Sequence, residues 1–509
     1  YYTAQGLTDR IFATLPVQGS GVPAEMMHSE KDAYRNAVLH ITQPGTYVLK
    51  GEWLGQILID LGDQDDTFAD ESAKVTLVLD GVNVKCTVAP ALIFYSVYEC
   101  DNGWEDRDSH SKEVDLTDAG ARVIIADRSE NTFEGTNVFR MLKTKLKDDS
   151  DTSAVPVQKK QRKTDGTFYS YRSMVIEGDS KGSGVLNIIS GYEGLDSELH
   201  LEIAGGNINI FSDNDGINVN EDGVSAMRIS GGNTHIIAGL GAEGDGIDSN
   251  GYLLITGGTV VAMANPRSDS GMDSDFGSYV LGGTVASFGS TMDWAKADGQ
   301  VGTQAVMNLR FAASQSADEA IIVTGSEVKV LFGYDPDKDE VAGTRIRTYQ
   351  GAVISSPLMQ RGTSCRVYVG GDIDGTEEGG IYAPESVKSF EHAVMQCYTG
   401  SDVGGFGGGM GARPDGGAMP EGGFGNMTPP EGFSGMTPPE GGDMPQRPDG
   451  GNGERPDGAM PLRPEGDMGG VTPPEGGFGG MMPPEGLGGG QTGFVSCMSP
   501  TMFELTDSV

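Results

Sequence analysis

The sequence predicts an all-β chain wound as a parallel β-helix, and three observations carry that reading. Gly-Gly pairs recur at Gly205-Gly206, Gly231-Gly232, Gly257-Gly258 and Gly282-Gly283, with first-glycine spacings of 26, 26 and 25 residues. Between them lie short alternating runs, among them Leu201-Glu202-Ile203, Asn207-Ile208-Asn209-Ile210, Met227-Arg228-Ile229, Leu253-Leu254-Ile255 and Val260-Val261-Ala262-Met263. Such runs have the period of strands, not helices. An acidic turn also recurs, as Asp215-Gly216-Ile217-Asn218-Val219-Asn220, Asp245-Gly246-Ile247-Asp248-Ser249-Asn250 and Gly271-Met272-Asp273-Ser274-Asp275. A unit of about 25 residues holds two or three four-residue strands and their turns, whereas a propeller blade needs about 40. Coils stacked at about 4.8 Å place equivalent side chains in ladders, and Gly suits corners where backbones approach closely or φ is positive.

In chain order, residues 1–36 read as an irregular segment and the strands begin at Ala37-Val38-Leu39-His40-Ile41. Gly45 to Gly51, Gln56 to Asp60 and Val75 to Val84 carry the same alternation, so the helix body is expected over 37–300. Residues 101–113 and 141–168 are charged, break the pattern and read as loops projecting from the coil edge, where binding residues often sit. From 301 to 400 the period is lost while strands persist, as in Ala320-Ile321-Ile322-Val323 and Cys365-Arg366-Val367-Tyr368-Val369. That stretch predicts a small β-sandwich-like cap protecting the last edge strand. Residues 401–490 form a Gly/Pro-rich tail with Pro-Asp/Glu-Gly units starting at Pro414, Pro420, Pro430, Pro439, Pro448, Pro456, Pro464, Pro474 and Pro484. Such a composition cannot build its own core, and polyproline II with turns, or disorder, is the expectation. A more ordinary segment, 491–509, follows it and is able to dock.

The 509 residues include 35 Lys and Arg against 73 Asp and Glu, a net charge of −38. A nucleic-acid partner is excluded because phosphate binding needs a basic stripe. An acidic chain suits cation loading and a solvated extracellular surface. No stretch approaches the ~20 apolar residues of a membrane span, and a chain starting at Tyr1 without Met reads as a secreted protein whose signal was removed. Of the five cysteines, Cys86 with Cys100 and Cys365 with Cys397 are expected as local bridges, leaving Cys497 over, with buried free thiols as the alternative.

The acidic turns have a chemical consequence. Stacking would bring Asp215, Asp245 and Asp273 to one edge, and likewise Asn218, Asp248 and Asp275, with Asn220 and Asn250 closing the turns and Asp196 on the preceding coil. Carboxylates that close repel unless they are protonated or share a cation. Ca2+ takes six to eight oxygen ligands in flexible geometry, and these side chains with backbone carbonyls supply that type of donor. Asp-Gly and Asn-Gly also simply make good turns.

The run Ile41 to Tyr47 with Gly51, the run Val75 to Val82, the two Asp-Gly-Ile turns, Ser355-Ser356-Pro357 and the Gly-rich tail resemble the secreted bacterial carbohydrate-binding domain-containing β-helix family. The resemblance covers roughly residues 37–400; the two inserts and the long repetitive tail depart from it. It implies a right-handed parallel β-helix, similar in shape to pectate lyases, that binds calcium and polysaccharides such as cellulose or polygalacturonate without catalysis.

Three function classes follow. For a polysaccharide binder, aromatic rings stack on sugar faces, with Trp104, Trp53, Trp294, Tyr169 and Tyr171 as candidates, and calcium bridges uronate carboxylates. A structural class, a surface or filament subunit whose tail links neighbours, draws on edge-strand stacking and on Thr428, Thr437 and Thr472, whose Thr-Pro-Pro context suits O-glycosylation. An enzyme is the third: Asn214-Asp215-Gly216-Ile217 resembles the Asn-Thr-Asp-Gly element of polygalacturonases, but Gly-His-Gly and Arg-Ile-Lys are missing. A lyase needs a Lys or Arg base, and between Lys181 and Lys296 only Arg228 and Arg267 are basic at neutral pH besides the histidines. The expectation is therefore a secreted, calcium-binding β-helix that binds polysaccharide without catalysis.

Overall fold

The computed structural model describes residues 36–101, 111–137, 142–145, 157–160, 164–290, 293, 295–297, 303–316, 319–325, 329–345, 347–361, 364–391 and 503–504. The protein is all-β and, among the described residues, has one α-helical turn at Gln64–Phe68 and a mixed 23-stranded sheet. Most of that sheet consists of three parallel ladders, each gaining a strand as the chain returns about 22–30 residues later.

The turn ladder runs through Ala37–Ile41, the second half of Gly45–Asp60, Leu92–Ser96, Gly166–Ser170, Glu193–Ser197, Ile217–Val219 and Ile247–Ser249, and is extended by a parallel bridge from Ile247 to Met272. The tyrosine ladder, named for Tyr252 and Tyr279, stacks Val75–Lys85, Ala121–Ile125, Met174–Gly178, Leu201–Ile203, Ala226–Ile229, Tyr252–Ile255, Gly277–Val280 and Ala295–Lys296. The asparagine ladder stacks Glu130–Gly135, Val185–Ser190, Asn207–Ser212, Asn233–Ile237, Thr259–Met263 and Thr284–Gly289.

Register explains the core. Leu77, Val123, Ile176, Ile203, Ile229, Ile255 and Val280 are cross-strand partners in one unbroken row, and all are fully buried. Leu92, Phe168, Leu195, Ile217, Ile247 and Met272 form a second such row. Each contributes about 1.5–3 kcal/mol of burial relative to exposure. Alternation puts one residue of each strand pair inside and the next outside, so a slip of one residue would invert every strand.

The Gly-Gly pairs are required on two separate grounds. Gly232 has φ of +75°, and a Cβ there would lie 2.3 Å from the carbonyl oxygen of Gly206 one coil below. Gly231 lies outside the positive-φ region, but its Cβ would meet the Ala204 carbonyl oxygen at 2.5 Å. The period is thus a stacking constraint as well as a turn preference.

After residue 303 the pairing changes sense. Tyr349–Gln360 pairs antiparallel with Thr284–Gly289 and with Gln304–Gln315, ending the asparagine ladder. A six-stranded antiparallel sheet contains Ile321–Thr324, Val330–Tyr334, Ser364–Val369, Glu377–Glu378, Ile381–Tyr382 and Phe503–Glu504. These strands also cover part of the asparagine ladder's outer face, where Ile237, Val261, Met263 and Phe288 pack in one cluster with Phe311, Phe332 and Tyr349. That explains why Val260-Val261-Ala262-Met263 is continuously apolar: both of its faces are buried. Phe503–Glu504, the described part of segment 491–509, pairs with Ser364–Val369, with Cys365 opposite Phe503.

Two expectations are corrected. The stretch 141–168, read as a loop, carries the antiparallel pair Leu142–Lys145 and Val157–Lys160, and its end, Gly166–Ser170, is a strand of the turn ladder. Its charge concealed the strands. Cys86 and Cys100 are free thiols and do not bridge; burial pushes their pKa values up to about 11 and about 12. Cys365 is also a buried free thiol, while Cys397 and Cys497 lie outside the described residues.

Gly232→Ala is expected to destabilise the protein by about 2–4 kcal/mol, combining left-handed strain with a backbone clash. Gly81→Ala, at φ of +79° with nothing within 4 Å of the new Cβ, isolates the strain and is expected to cost about 1 kcal/mol. Equal losses in urea unfolding would refute the stacking constraint.

Candidate functional site

The acidic turns do superimpose, in a register different from that expected. The Gly216 N–H donates to Asp245 O at 2.9 Å and the Gly246 N–H to Ser270 O at 3.0 Å, so Asp215, Asp245 and Ser270 occupy one position. Asp196, Asn218 and Asp248 are direct cross-strand partners, and the Ile247 to Met272 bridge carries that row on to Asp273. Asp273 therefore follows Asp248, not Asp245. Asp275 lies two residues further on, exposed, its N–H donating to Ser249 O at 3.0 Å.

Hydrogen bonds knit the turns vertically. The Asp245 N–H donates to Asp215 Oδ1 at 2.7 Å, and the Ser270 N–H to Asp245 Oδ1 at 2.5 Å. The Asn250 Nδ2 donates to Asn220 O at 2.9 Å and to Asp222 Oδ1 at 2.7 Å, so Asn250 fastens coil to coil. On the earlier coils Asn218 Nδ2 donates to Glu193 Oε1 at 3.2 Å, and Asn220 Nδ2 donates to Asp196 Oδ1. Asn218 and Asn220 are only 3% and 5% exposed, and the Oδ1 atom of each is buried without a hydrogen-bond partner. Buried acceptors left without a donor are costly.

The electrostatics point the same way. Burial first, and then the neighbouring carboxylates of Asp215, Asp273 and Asp248, push Asp245 up to about 9. Burial and a carboxyl-carboxyl contact with Asp293 raise Asp273 to about 7. Among the described residues, no three His, Cys, Asp or Glu side chains converge into a ready-made metal cluster. The acids form a stacked file in which buried Asp245 and Asp273 hold their protons above the usual carboxylate range, with the amide side chains of Asn218 and Asn220 interspersed among them.

Glu193 was missed by sequence reasoning. It is buried at the head of Glu193-Gly194-Leu195-Asp196, which repeats the Asp-Gly-Ile-Asn pattern one coil earlier; that likeness was the available signal. Of the tryptophans, Trp53 is half-buried, packs against the core and donates Nε1–H to Gln56 O at 3.2 Å, so it is not a free platform. Trp104 and Trp294 lie outside the described residues.

The buried histidines are structural fasteners. His200 Nδ1 accepts the Ala226 N–H at 3.0 Å, which leaves the proton on Nε2 to donate to Asp101 Oδ2 at 3.0 Å. His235 Nε2 lies 2.6 Å from Asp339 Oδ2, which also accepts the Tyr334 hydroxyl at 2.8 Å, tying the asparagine ladder to the antiparallel strands.

Comparisons with known proteins follow this geometry. Residues 110–338, which hold every acidic turn described above, match a family described as carbohydrate-binding domain-containing protein. No curated protein matches. A solved structure described as a polysaccharide lyase-like protein from C. thermocellum, a gadolinium derivative, is 25% identical over 49% of this chain and 84% of that one, with a TM-score of 0.30. The chain is thus an all-β protein, nearly half of which resembles a carbohydrate-binding family.

Asp245 binds its proton more tightly in the folded than in the unfolded state, because its folded value of about 9 lies above the ordinary 3.8. Folding stability must then fall as pH rises from about 4 towards 9 in chelator-treated protein. Asp245→Asn keeps an acceptor for the Ser270 N–H and is expected to raise alkaline stability in chelator by at least about 1 kcal/mol. A melting temperature that rises with pH over that window would refute the assignment of a tightly held proton to Asp245.

Proposed function

We propose that this protein is an extracellular polysaccharide-binding protein, wound as a right-handed parallel β-helix and stabilised by calcium, that acts without catalysis. The observation that carries the polysaccharide reading is the match of residues 110–338 to a carbohydrate-binding family. The same residues hold the acidic file, which makes cation binding and glycan binding neighbouring properties of one region.

The donor set suits calcium in kind: carboxylates, amide oxygens and backbone carbonyls, with no thiol or imidazole among them. Asp215, Asp245, Asp248 and Asp273 would supply charge, Asn218 and Asn220 their unpartnered buried Oδ1 atoms, and Asp196 and Glu193 the carboxylates facing them. Asn250 and Asp275 would serve at the margins of the file. A bound calcium ion supplies positive charge that relieves repulsion between stacked carboxylates and offers open coordination positions to a uronate.

Several features support binding without turnover. Arg228, a basic residue of the acidic coils, is engaged by Glu202 and donates to Val114 O at 3.4 Å. His200 and His235 are committed to Asp101 and Asp339. Self-association is a second reading, favoured by Val48 and Leu54, which are 56% and 53% exposed on the first half of Gly45–Asp60, where it pairs with Val75–Lys85.

Calcium is expected to raise the melting temperature of the wild-type protein by several degrees and that of Asp245→Asn and Asp248→Asn by far less. Pull-down on insoluble cellulose and on pectin gels, each with calcium and with chelator, tests the glycan reading. Retention on neither polymer would sink it. Calcium-independent melting with intact retention would remove the metal and leave the glycan.

A further inference from the structure

Outside the acidic file, the outward face of the tyrosine ladder holds a cluster of a different character. Tyr252 and Phe276 have ring centroids 5.8 Å apart, and Tyr252 and Tyr279 lie 6.1 Å apart. Two lysines close over them: Lys112 Nζ is 4.1 Å from the Tyr279 centroid and 5.8 Å from that of Tyr252, and Lys296 Nζ is 5.6 Å from Tyr279. Lys112 comes from the segment before the Ala121–Ile125 strand and Lys296 from the last strand of the ladder, so residues far apart in sequence converge.

The cluster has a floor. Gly277 is the cross-strand partner of Tyr252, where a side chain would otherwise continue the row. A Cβ at Gly277 would lie 3.4 Å from Tyr279 Cε2, 3.8 Å from the Tyr279 hydroxyl and 3.8 Å from Lys296 Nζ. The Tyr279 phenol and the Lys296 ammonium thus converge over a position left empty of side chain. With φ of +121°, Gly277 is also a position that L residues rarely adopt, so the recess is built into the backbone.

Charge decides what the recess takes. The chain carries −38, yet neither Lys112 nor Lys296 makes an ion pair among the described residues. Lys50, Lys74 and Lys85, by contrast, are each paired with a carboxylate. Phe276, 36% exposed, presents apolar surface beside the two ammonium groups. Apolar ring faces suit the C–H face of a pyranose, and two unpaired ammoniums suit an anion. Phosphate alone would use the lysines and leave the rings idle; a neutral glucan would use the rings and leave the charges idle.

We propose that Tyr252, Phe276, Tyr279, Lys112 and Lys296, arranged over Gly277, form a subsite for a uronate residue of an acidic polysaccharide. The proposal rests on the polysaccharide-binding reading and adds to it a second set of residues, away from the acidic file. The ammoniums hold the carboxylate directly, without a metal.

The test titrates the full chain with polygalacturonate and with its fully methyl-esterified, uncharged counterpart, at fixed calcium and at low and high ionic strength. Wild type is expected to prefer the charged polymer, with affinity falling as salt rises. Lys112→Met with Lys296→Met is expected to lose about tenfold or more for polygalacturonate and little for the ester, at an unchanged melting temperature. Lys296→Arg is expected to retain binding, and Tyr279→Phe to keep the stacking while losing the hydroxyl. If wild type binds polygalacturonate and the double lysine variant binds it equally well, the subsite is overturned while the polysaccharide reading stands. Equal affinity of wild type for both polymers overturns the charge assignment and with it the subsite. Binding to neither polymer nor to cellulose overturns both readings.

Discussion

Strand-on-strand stacking in the parallel ladders repeats whatever chemistry a position holds each time the chain returns, because parallel strands spaced about 4.8 Å apart place equivalent side chains in contact. At inward positions the repetition is favourable: the aliphatic row from Leu77 to Val280 adds burial at each coil with no polar group to satisfy. At corners it is restrictive, since Gly232, Gly258 and Gly283 leave no space for a Cβ between neighbouring backbones. In the acidic file it is unfavourable, because each added carboxylate meets the one below it. The same geometric rule therefore produces the core, the Gly-Gly ruler and the electrostatic problem at the turns.

How the turns tolerate that repulsion shows in the details of the stack. Backbone N–H groups of Asp245 and Ser270 are aimed at carboxylate oxygens of the adjacent coil, a partial compensation that burial outweighs at Asp245. Asparagine replaces aspartate at Asn218, between Asp196 and Asp248, and dilutes the charge without changing the shape. Serine does so at Ser270, above Asp245. A file of unbroken carboxylates would repel more strongly; a file of amides would have nothing to offer a cation. The mixture keeps carboxylate and amide oxygens side by side, the type of donor that a hard divalent ion takes.

The all-β class and the coil period were legible because Gly-Gly spacing and strand alternation are both direct records of stacking. The register of the third acidic turn was not. Asp215 and Asp245 are 30 residues apart, whereas Asp245 and Ser270 are 25 apart, because the connection before each turn lies outside the stack and varies in length. Matching aspartate to aspartate therefore misplaced Asp273 by three positions. The antiparallel strands over the asparagine ladder's outer face were also hidden: continuous apolar runs announce two-sided burial without saying what covers the second side. Aromatic side-chain type alone was a poor guide at three positions, since Trp53 packs on the core and Tyr169 and Tyr171 are buried in it. The better signal was alternation itself, because inward Leu253, Ile255 and Val280 force Tyr252 and Tyr279 outward on successive coils.

Two chemically independent ways of holding an anionic glycan would then coexist on one stack. Carboxylates of the turn ladder reach a uronate only through a cation, so their contribution vanishes with chelator and strengthens as the acids deprotonate. The lysines of the tyrosine ladder need no metal, and their contribution weakens with ionic strength instead. In a chain of −38 the second device answers a difficulty created by the first: without cations, the acidic surface repels the polymer that it would otherwise bind. Unpaired ammoniums beside aromatic faces give an incoming chain a local point of attraction that does not depend on loading the file. Separating chelator sensitivity from salt sensitivity thus separates the two ladders, because the stacking that aligns each one keeps their chemistries on different strands of every coil.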